Sequence, residues 1–350
     1  MSDTHTRNKD ALAPLRAAMA DFDEKAVRAA LGALIDADAL IHMPHPFGTL
    51  TGPEALYETC YAPLFRAMPD LERRDWIVMG GRDDHGGDWV GCGGHYMGTF
   101  VRPWLDIPPT GHLAHMRFHE FYRFEEGRVT EVQTLWDIPE VMMQARAWPM
   151  APSLGLEFCI PGPATNDGVM PGPWDEEKAE ASRRHIVEML DHMTRHPGAG
   201  GPEVMEMHRF WHPRMNWYGP AGIGTGRGIA GFRNWHQIPF LAGMPDRGQH
   251  AGDVIYHFFG DGDYAAVTGW PNMIQTVSHD GWMGIAPAGK RISMCSLDFW
   301  RIEDGLIREN WVLVDLLDAY RQLGVDVFAR LREFNKARVP GEVPFAVGDR

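Results

Sequence analysis

The stretch YRFEEGRVTEVQTLWD, Tyr122 to Asp137, returns near the other end of the chain as WRIEDGLIRENWVLVD, Trp300 to Asp315. Six positions are identical at an offset of 178: Arg123/Arg301, Glu125/Glu303, Gly127/Gly305, Glu131/Glu309, Leu135/Leu313 and Asp137/Asp315, with Gln144/Gln322 beyond them. The echo continues upstream. Met68–Asp70 recurs as Met244–Asp246, Pro63 as Pro239, Gly87–Trp89 as Gly262–Tyr264, and Ile107–Gly111 as Ile285–Gly289. Offsets that stay between 175 and 178 mean two copies of one domain with small loop insertions. The length of 350 residues agrees, being more than one hydrophobic core usually serves.

The repeat divides the chain. Residues 1–10 are expected to be disordered, 11–150 to form the first domain and 176–335 the second, with a C-terminal tail at 336–350. Residues 151–175, dense in Pro and Gly and without periodicity, read as a linker or as a long loop packed across both halves. In each copy helical stretches come first, LRAAMADFDEKAVRAALGALI in one and EKAEASRRHIVEMLDHMTRH with EVMEMHRFWH in the other. Strands and turns follow, ending in a long hairpin: HLAHMRFHEFYRF–EEG–RVTEVQTLW and RISMCSLDFWRI–EDG–LIRENWVLV. Helices ahead of a run of antiparallel strands imply an α+β fold rather than a parallel sheet. The glycine-rich run Gly222–Gly231 stands before a helix and follows no strand–loop pattern of a dinucleotide site, so it reads as a loop.

Lys and Arg number 33 against 47 Asp and Glu, a net charge of −14 that repels phosphate backbones and anionic membranes, so neither is expected as a partner. The four cysteines stand far apart with no CxxC pair, which suits a reducing compartment; with no signal-like segment at the start and no spanning run, a cytoplasmic location is expected.

His45–Leu56 (HPFGTLTGPEAL), Met68–Leu71, Gly98–Phe100, Ile107–Gly111 and RFEEGRVTE…D…Q resemble the SnoaL-like polyketide cyclases, members of the nuclear transport factor 2-like superfamily. The second copy is similar through MPD, RIEDGLIRENWVLVD and RQLG. The resemblance implies two cone-shaped domains, each a strongly curved, mostly antiparallel sheet wrapped around N-terminal helices, with an apolar pocket inside. It also implies that the copies pack sheet to sheet as an intra-chain pseudo-dimer, with a homodimer left open. The implied activity is cofactor-independent acid–base chemistry on a carbonyl-containing, largely apolar small molecule: aldol cyclisation, isomerisation or hydration. Neither metal nor organic cofactor is expected. The alternative is a non-catalytic binding protein with two apolar pockets, and the fold alone does not choose between them.

Within that resemblance, Asp315 after Trp311, and Asp137 where Gln133 replaces the tryptophan, match the proton-shuttling acid; both could instead cap the helices that follow them. Alternation places Phe118, Glu120 and Tyr122 on one strand face, and Ser296, Asp298 and Trp300 on the equivalent one. An acid among apolar and aromatic side chains is a candidate for a raised pKa, so Glu120 and Asp298 are candidate acids or bases, or ion-paired structural acids. His42 and His45 are candidate hydrogen-bonding or acid–base groups; ligand spacing for a metal is lacking. Phe118, Tyr122 and Trp136 in the first copy, and Trp217, Tyr218, Trp300 and Trp311 in the second, are candidate pocket walls. Tyr218 replaces His42 at the matching position, so the two pockets should differ in polarity.

Overall fold

The protein is described by a computed structural model over residues 3–336 and 338. The first copy builds strands β1 (Ile35–His42), β2 (Thr49–Thr51), β3 (Glu72–Arg82), β4 (Asp88–Thr99), β5 (Leu113–Glu125) and β6 (Arg128–Trp136), in the order β2-β1-β6-β5-β4-β3. The second builds β7 (Trp211–Tyr218), β8 (Gly226–Arg227), β9 (His257–Asp261), β10 (Tyr264–Thr268), β11 (Met273–Val277), β12 (Lys290–Met294), β13 (Ser296–Glu303) and β14 (Leu306–Val314). Its sheet runs β8-β7-β14-β13-β10-β9, the same order, with β11 and β12 as a separate pair. Among the described strands the β1–β6 and β7–β14 pairings are parallel and the other ladders antiparallel. The α+β reading with two tandem cones therefore holds.

Helices cover the concave face of each sheet. Residues 4–10, expected to be disordered, are the start of the helix Thr4–Ala20, because Asp3 caps it by accepting from the Thr6 N–H at 2.7 Å and Leu12, Leu15 and Met19 bury its inner face. The second copy opens with the helix Glu176–Thr194, but EVMEMHRFWH is not helical throughout. It forms two short 3-10 turns broken at Glu206, whose φ of 45° lies in the left-handed region, and then enters β7. Of the tail, only Lys336 and Arg338 fall within the described residues.

The convex faces meet each other. Phe121, Leu135, Phe259, Phe299, Trp311 and Leu313 belong to a second buried cluster, separate from the helix-facing core. Phe121 and Phe299 stack with centroids 5.0 Å apart. Gly91 is required there: a Cβ would stand 2.9 Å from Phe299 Cε1. Polar links cross the same plane. Lys9 Nζ meets Asp261 Oδ2 at 2.6 Å, both buried, and His119 Nδ1 lies 2.6 Å from the Leu297 carbonyl. The segment between the copies packs on both, pairing Leu156 with Thr225 and Val169 with Val78.

The most telling link is an exchange. Asp137 Oδ2 accepts from the Ala221 N–H of the other half at 2.9 Å, and Asp315 Oδ2 accepts from the His45 N–H at 2.9 Å. Ala221 and His45 are themselves equivalent at offset 176, so each copy gives the other the same bond. Arg117 adds bonds to the Tyr218, Gly219 and Val312 carbonyls at 3.1, 2.7 and 3.1 Å and reaches Asp137 at 3.3 Å. Arg117→Met leaves three buried carbonyls without that donor and Asp137 without its cation, so it should cost about 3–5 kcal/mol in denaturant titration. A loss below about 1 kcal/mol, the worth of an exposed pair, would mean the guanidinium is not needed at the interface.

Candidate functional site

Both cones have the same frame: an inward strand face carrying an acid, and a π-helical turn opposite it, Tyr57–Tyr61 in the first copy and Arg233–Gln237 in the second. The interiors differ completely. In the first, Glu120 is buried and fully engaged. Its Oε2 accepts from Arg73 Nη1 at 2.6 Å and from the Tyr122 hydroxyl at 2.6 Å; its Oε1 accepts from the Tyr96 hydroxyl at 2.9 Å and Trp136 Nε1 at 3.2 Å. Arg73, wholly buried, lies over the Phe118 ring at 4.3 Å. Arginine, tyrosines and tryptophan fill the cone around an acid whose lone pairs are spoken for.

The second copy replaces those side chains with smaller ones. Phe118 becomes Ser296, Trp136 becomes Val314, Tyr61 becomes Gln237 and Glu120 becomes Asp298 at offsets of 176 to 178. Strand pairing sets Met273 where Tyr96 stands, since Tyr96 faces Met116 and Met273 faces Met294. The wall is also shorter. β3 and β4 run 11 and 12 residues, whereas β9 and β10 run five each, and Gly269–Trp270–Pro271 interrupts the line before β11. Pro271 has no N–H for a ladder. Two adjoining chambers result, an inner one of about 100 Å³ and an outer one of about 300 Å³, sharing Leu190, Arg247, Met273, Ser296, Asp298 and Trp300.

Asp298 stands between the chambers with its open surface facing them. Its Oδ1 accepts from the Ser296 hydroxyl at 2.6 Å. Burial pushes its carboxyl up to about 7, against the opposing pull of that bond and of Arg117 and Arg247. His236, from the π turn, stacks on Trp217 at 4.1 Å, and burial pulls it down to about 3, so it is neutral. Three buried polar atoms on inner-chamber residues have no partner: Trp211 Nε1, His236 Nδ1 and Trp300 Nε1. Orphaned buried donors are rare and costly, and a ligand oxygen is one way to satisfy them. An apolar cavity with one near-neutral acid and free donors can bind a carbonyl compound and move a proton on it.

The structure brings Asp298, Trp217 and Trp300 together and sends the other candidates elsewhere. Glu120, Phe118, Tyr122 and Trp136 do converge, but into a filled interior. Asp137 and Asp315 lie at the interface between the halves rather than on a cavity wall. Burial raises both to about 7, and only Asp315 caps its helix, accepting from the Asp318 N–H at 3.0 Å. His42 stacks on Trp270 and bonds Thr49 Oγ1; His45 packs by Phe328 over an outer groove. Tyr218 and Trp311 belong to the inter-sheet cluster, with Tyr218 bonded to Glu309 and Trp311 to the Pro161 carbonyl. These two aromatics are on the opposite strand face from the cavity. Ser296 lies on the inward face that strand alternation gives it, whereas His236 and Arg247 carry no sequence signal, because one comes from a turn and the other from a loop with no periodicity.

Among the described residues one group has metal-ligand spacing: a ring nitrogen of His95, one of His115 and Cys159 Sγ lie within 4.8 Å of one another. They come from β4, β5 and the inter-copy segment, so no local motif announces them. Trp76 Nε1 donates to His95 Nδ1 at 3.2 Å, which leaves the proton of this ring on Nε2. Burial holds His95 neutral, near 4. Glu140 Oε1 sits 3.1 Å from His115 Nδ1; burial works against the charge of that imidazole, but the neighbouring Cys159 and Glu140 push it up to about 10.

The sequence profile described as SnoaL-like polyketide cyclase matches residues 13–145 and 202–323. Among solved structures, IdmH of Streptomyces antibioticus is similar at 22% identity over 39% of this chain and 96% of its own, with a TM-score of 0.33. A SnoaL-like protein of Jannaschia sp. CCS1 shows 20% identity over 41% and 94%, TM-score 0.35, and an NTF2-like protein of Burkholderia thailandensis E264 shows 18% over 40% and 96%, TM-score 0.31. No curated protein matches the chain. Among the described residues no helix is long and apolar enough to cross a membrane.

The raised Asp298 carboxyl has a measurable consequence. Between about pH 4 and pH 7 the unfolded chain ionises this residue while the folded one keeps the proton, so its contribution to stability falls as pH rises. Asp298→Asn removes that loss. In denaturant titrations the variant should gain on the wild type by up to about 1.4 kcal/mol per pH unit across the window and level off above it. Asp137 and Asp315 titrate in both proteins and cancel. A difference independent of pH would show Asp298 to ionise as an exposed acid does.

Proposed function

The chain belongs to the SnoaL-like polyketide cyclase family, and from that premise and the geometry of the second cone we propose that it is a cofactor-independent acid–base catalyst acting on an apolar carbonyl compound. The family goes with a cyclase- or isomerase-type reaction or with small-molecule binding. What favours catalysis is Asp298: a carboxyl held near 7 by burial, inside an apolar cavity, with orphaned donors on neighbouring side chains. A group that is half ionised at neutral pH can both take and return a proton.

In this reading the Asp298 carboxylate removes a proton alpha to a substrate carbonyl. The C–H pair moves into the carbon–carbon bond and the carbonyl oxygen becomes an enolate. Trp300 Nε1–H, two residues along the same face, supplies a hydrogen bond to that oxygen; the neutral His236 stands by as a second polar contact. The enolate carbon then attacks another carbonyl of the same molecule. One carbon–carbon bond forms, the second carbonyl becomes an alkoxide, and protonated Asp298 returns the proton to it. The apolar walls hold a folded substrate and keep water away from the enolate. The first cone, whose acid is already saturated by Arg73 and three other donors, has a supporting role in this scheme.

The test is α-proton exchange. Wild-type protein in D2O should speed deuterium incorporation next to the carbonyl of 1-tetralone, followed by NMR. Asp298→Asn should slow the catalysed rate by roughly 10²-fold or more, Trp300→Phe should slow it less, and Glu120→Gln should leave it unchanged if the variant remains folded. Binding of the ketone without acceleration by the wild type would support the non-catalytic binding protein instead.

A further inference from the structure

Arg247 stands in the wall common to both chambers of the second cone. Burial works against its charge and lowers its pKa, yet among the described residues its one hydrogen bond is a long 3.5 Å contact from Nη1 to the Met193 carbonyl. Arg73, Arg117 and Arg301, which are buried more deeply, each make short bonds to acids or carbonyls. Arg73 pairs with Asp75 and Glu120, Arg301 with Glu303 and Glu309, and Arg117 holds three carbonyls and Asp137. A half-buried guanidinium in an apolar wall, with five donors and one weak acceptor, has unmet demand for an anion.

The acids within reach do not meet it. Asp298 accepts from Ser296 and lies beyond ion-pair distance of Arg247; Asp191, at the mouth of the outer chamber, is exposed and bound to Arg195 at 2.8 Å. The first cone shows what completion looks like. There the Arg73 guanidinium and the Glu120 carboxylate meet at 2.6 Å in the middle of the interior. In the second cone the acid is one methylene shorter and the cation enters from the turn after Pro245 rather than from a strand, so the carboxylate–guanidinium contact is left open.

We propose that the ligand of the second cone carries a carboxylate that docks on Arg247, with its apolar body running into the inner chamber between Trp217 and Trp300. The proposal rests on the reading of this cavity as the substrate site, and it narrows the substrate to an apolar carbonyl compound with an acidic head. A planar carboxylate matches the guanidinium fork, and the pairing fixes which end of the substrate enters first.

A matched pair of probes decides it: 2-naphthaleneacetate and 2-naphthaleneacetamide, titrated calorimetrically into the full-length protein. They share a ring system and differ in charge. The wild type should bind the acid roughly tenfold or more tighter than the amide. Arg247→Met should abolish that preference while amide binding persists, which also shows that the variant is folded; Arg247→Lys should restore part of it. Equal binding of acid and amide by the wild type, or a preference that survives Arg247→Met, would overturn the assignment and leave the cavity reading standing. Failure of both probes to bind the wild type would count against the cavity as a ligand site, and against this proposal with it.

Discussion

Each sheet of this protein is apolar on both faces, and a sheet with two apolar faces needs two partners. The helices of its own copy cover the concave side; only the other sheet covers the convex side. Everything else follows from that second burial. Phe121 on Phe299, the glycine at 91 that lets them approach, and the buried Lys9–Asp261 pair all lie in one plane. The exchanged bonds from Asp137 to the Ala221 N–H and from Asp315 to the His45 N–H give that plane an approximate two-fold symmetry. Joining the partners in one chain makes the pairing independent of concentration, and it allows the halves to differ as two identical subunits cannot.

The copies have used that freedom in their interiors. In the first cone an internal carboxylate is satisfied by an internal guanidinium, two tyrosines and a tryptophan, an arrangement that takes up the space of a pocket. In the second, Ser296, Val314, Gln237 and Asp298 stand where larger residues stood, and shortened strands leave one flank open. Buried polar groups need partners wherever they are. In the first cone the acid itself is satisfied by the chain, although Trp104 Nε1 has no partner; in the second, Trp211 Nε1, His236 Nδ1 and Trp300 Nε1 on the cavity residues have none. Two copies of the same frame thus differ in whether the interior is filled or open.

Asp137 and Asp315 line no cavity for a geometric reason. Each sits one residue beyond the end of its last strand, where the chain turns from the sheet into a helix, and that corner is at the inter-sheet plane rather than inside the cone. Their raised pKa values record burial between the halves. A perturbed acid is evidence of desolvation first, and of chemistry only if a cavity adjoins it.

Much of this was legible in the residues alone. The repeat dictated two copies of one α+β domain, and strand alternation put Phe118, Glu120 and Tyr122, with Ser296, Asp298 and Trp300, on the faces that turn inward, because period two is a local property of an extended chain. Which acid faces a void was not local. It depends on side chains from the π turn, from β14 and from the loop around Arg247, brought together across more than a hundred residues. Tyr218 and Trp311 look like pocket walls in sequence for the same reason, since an aromatic side chain carries no mark of which buried face it serves. Sequence determined the frame and the strand faces through short-range periodicity. Tertiary structure alone decided which cone is filled and which is open, because a cavity is the difference between volumes contributed by distant parts of the chain.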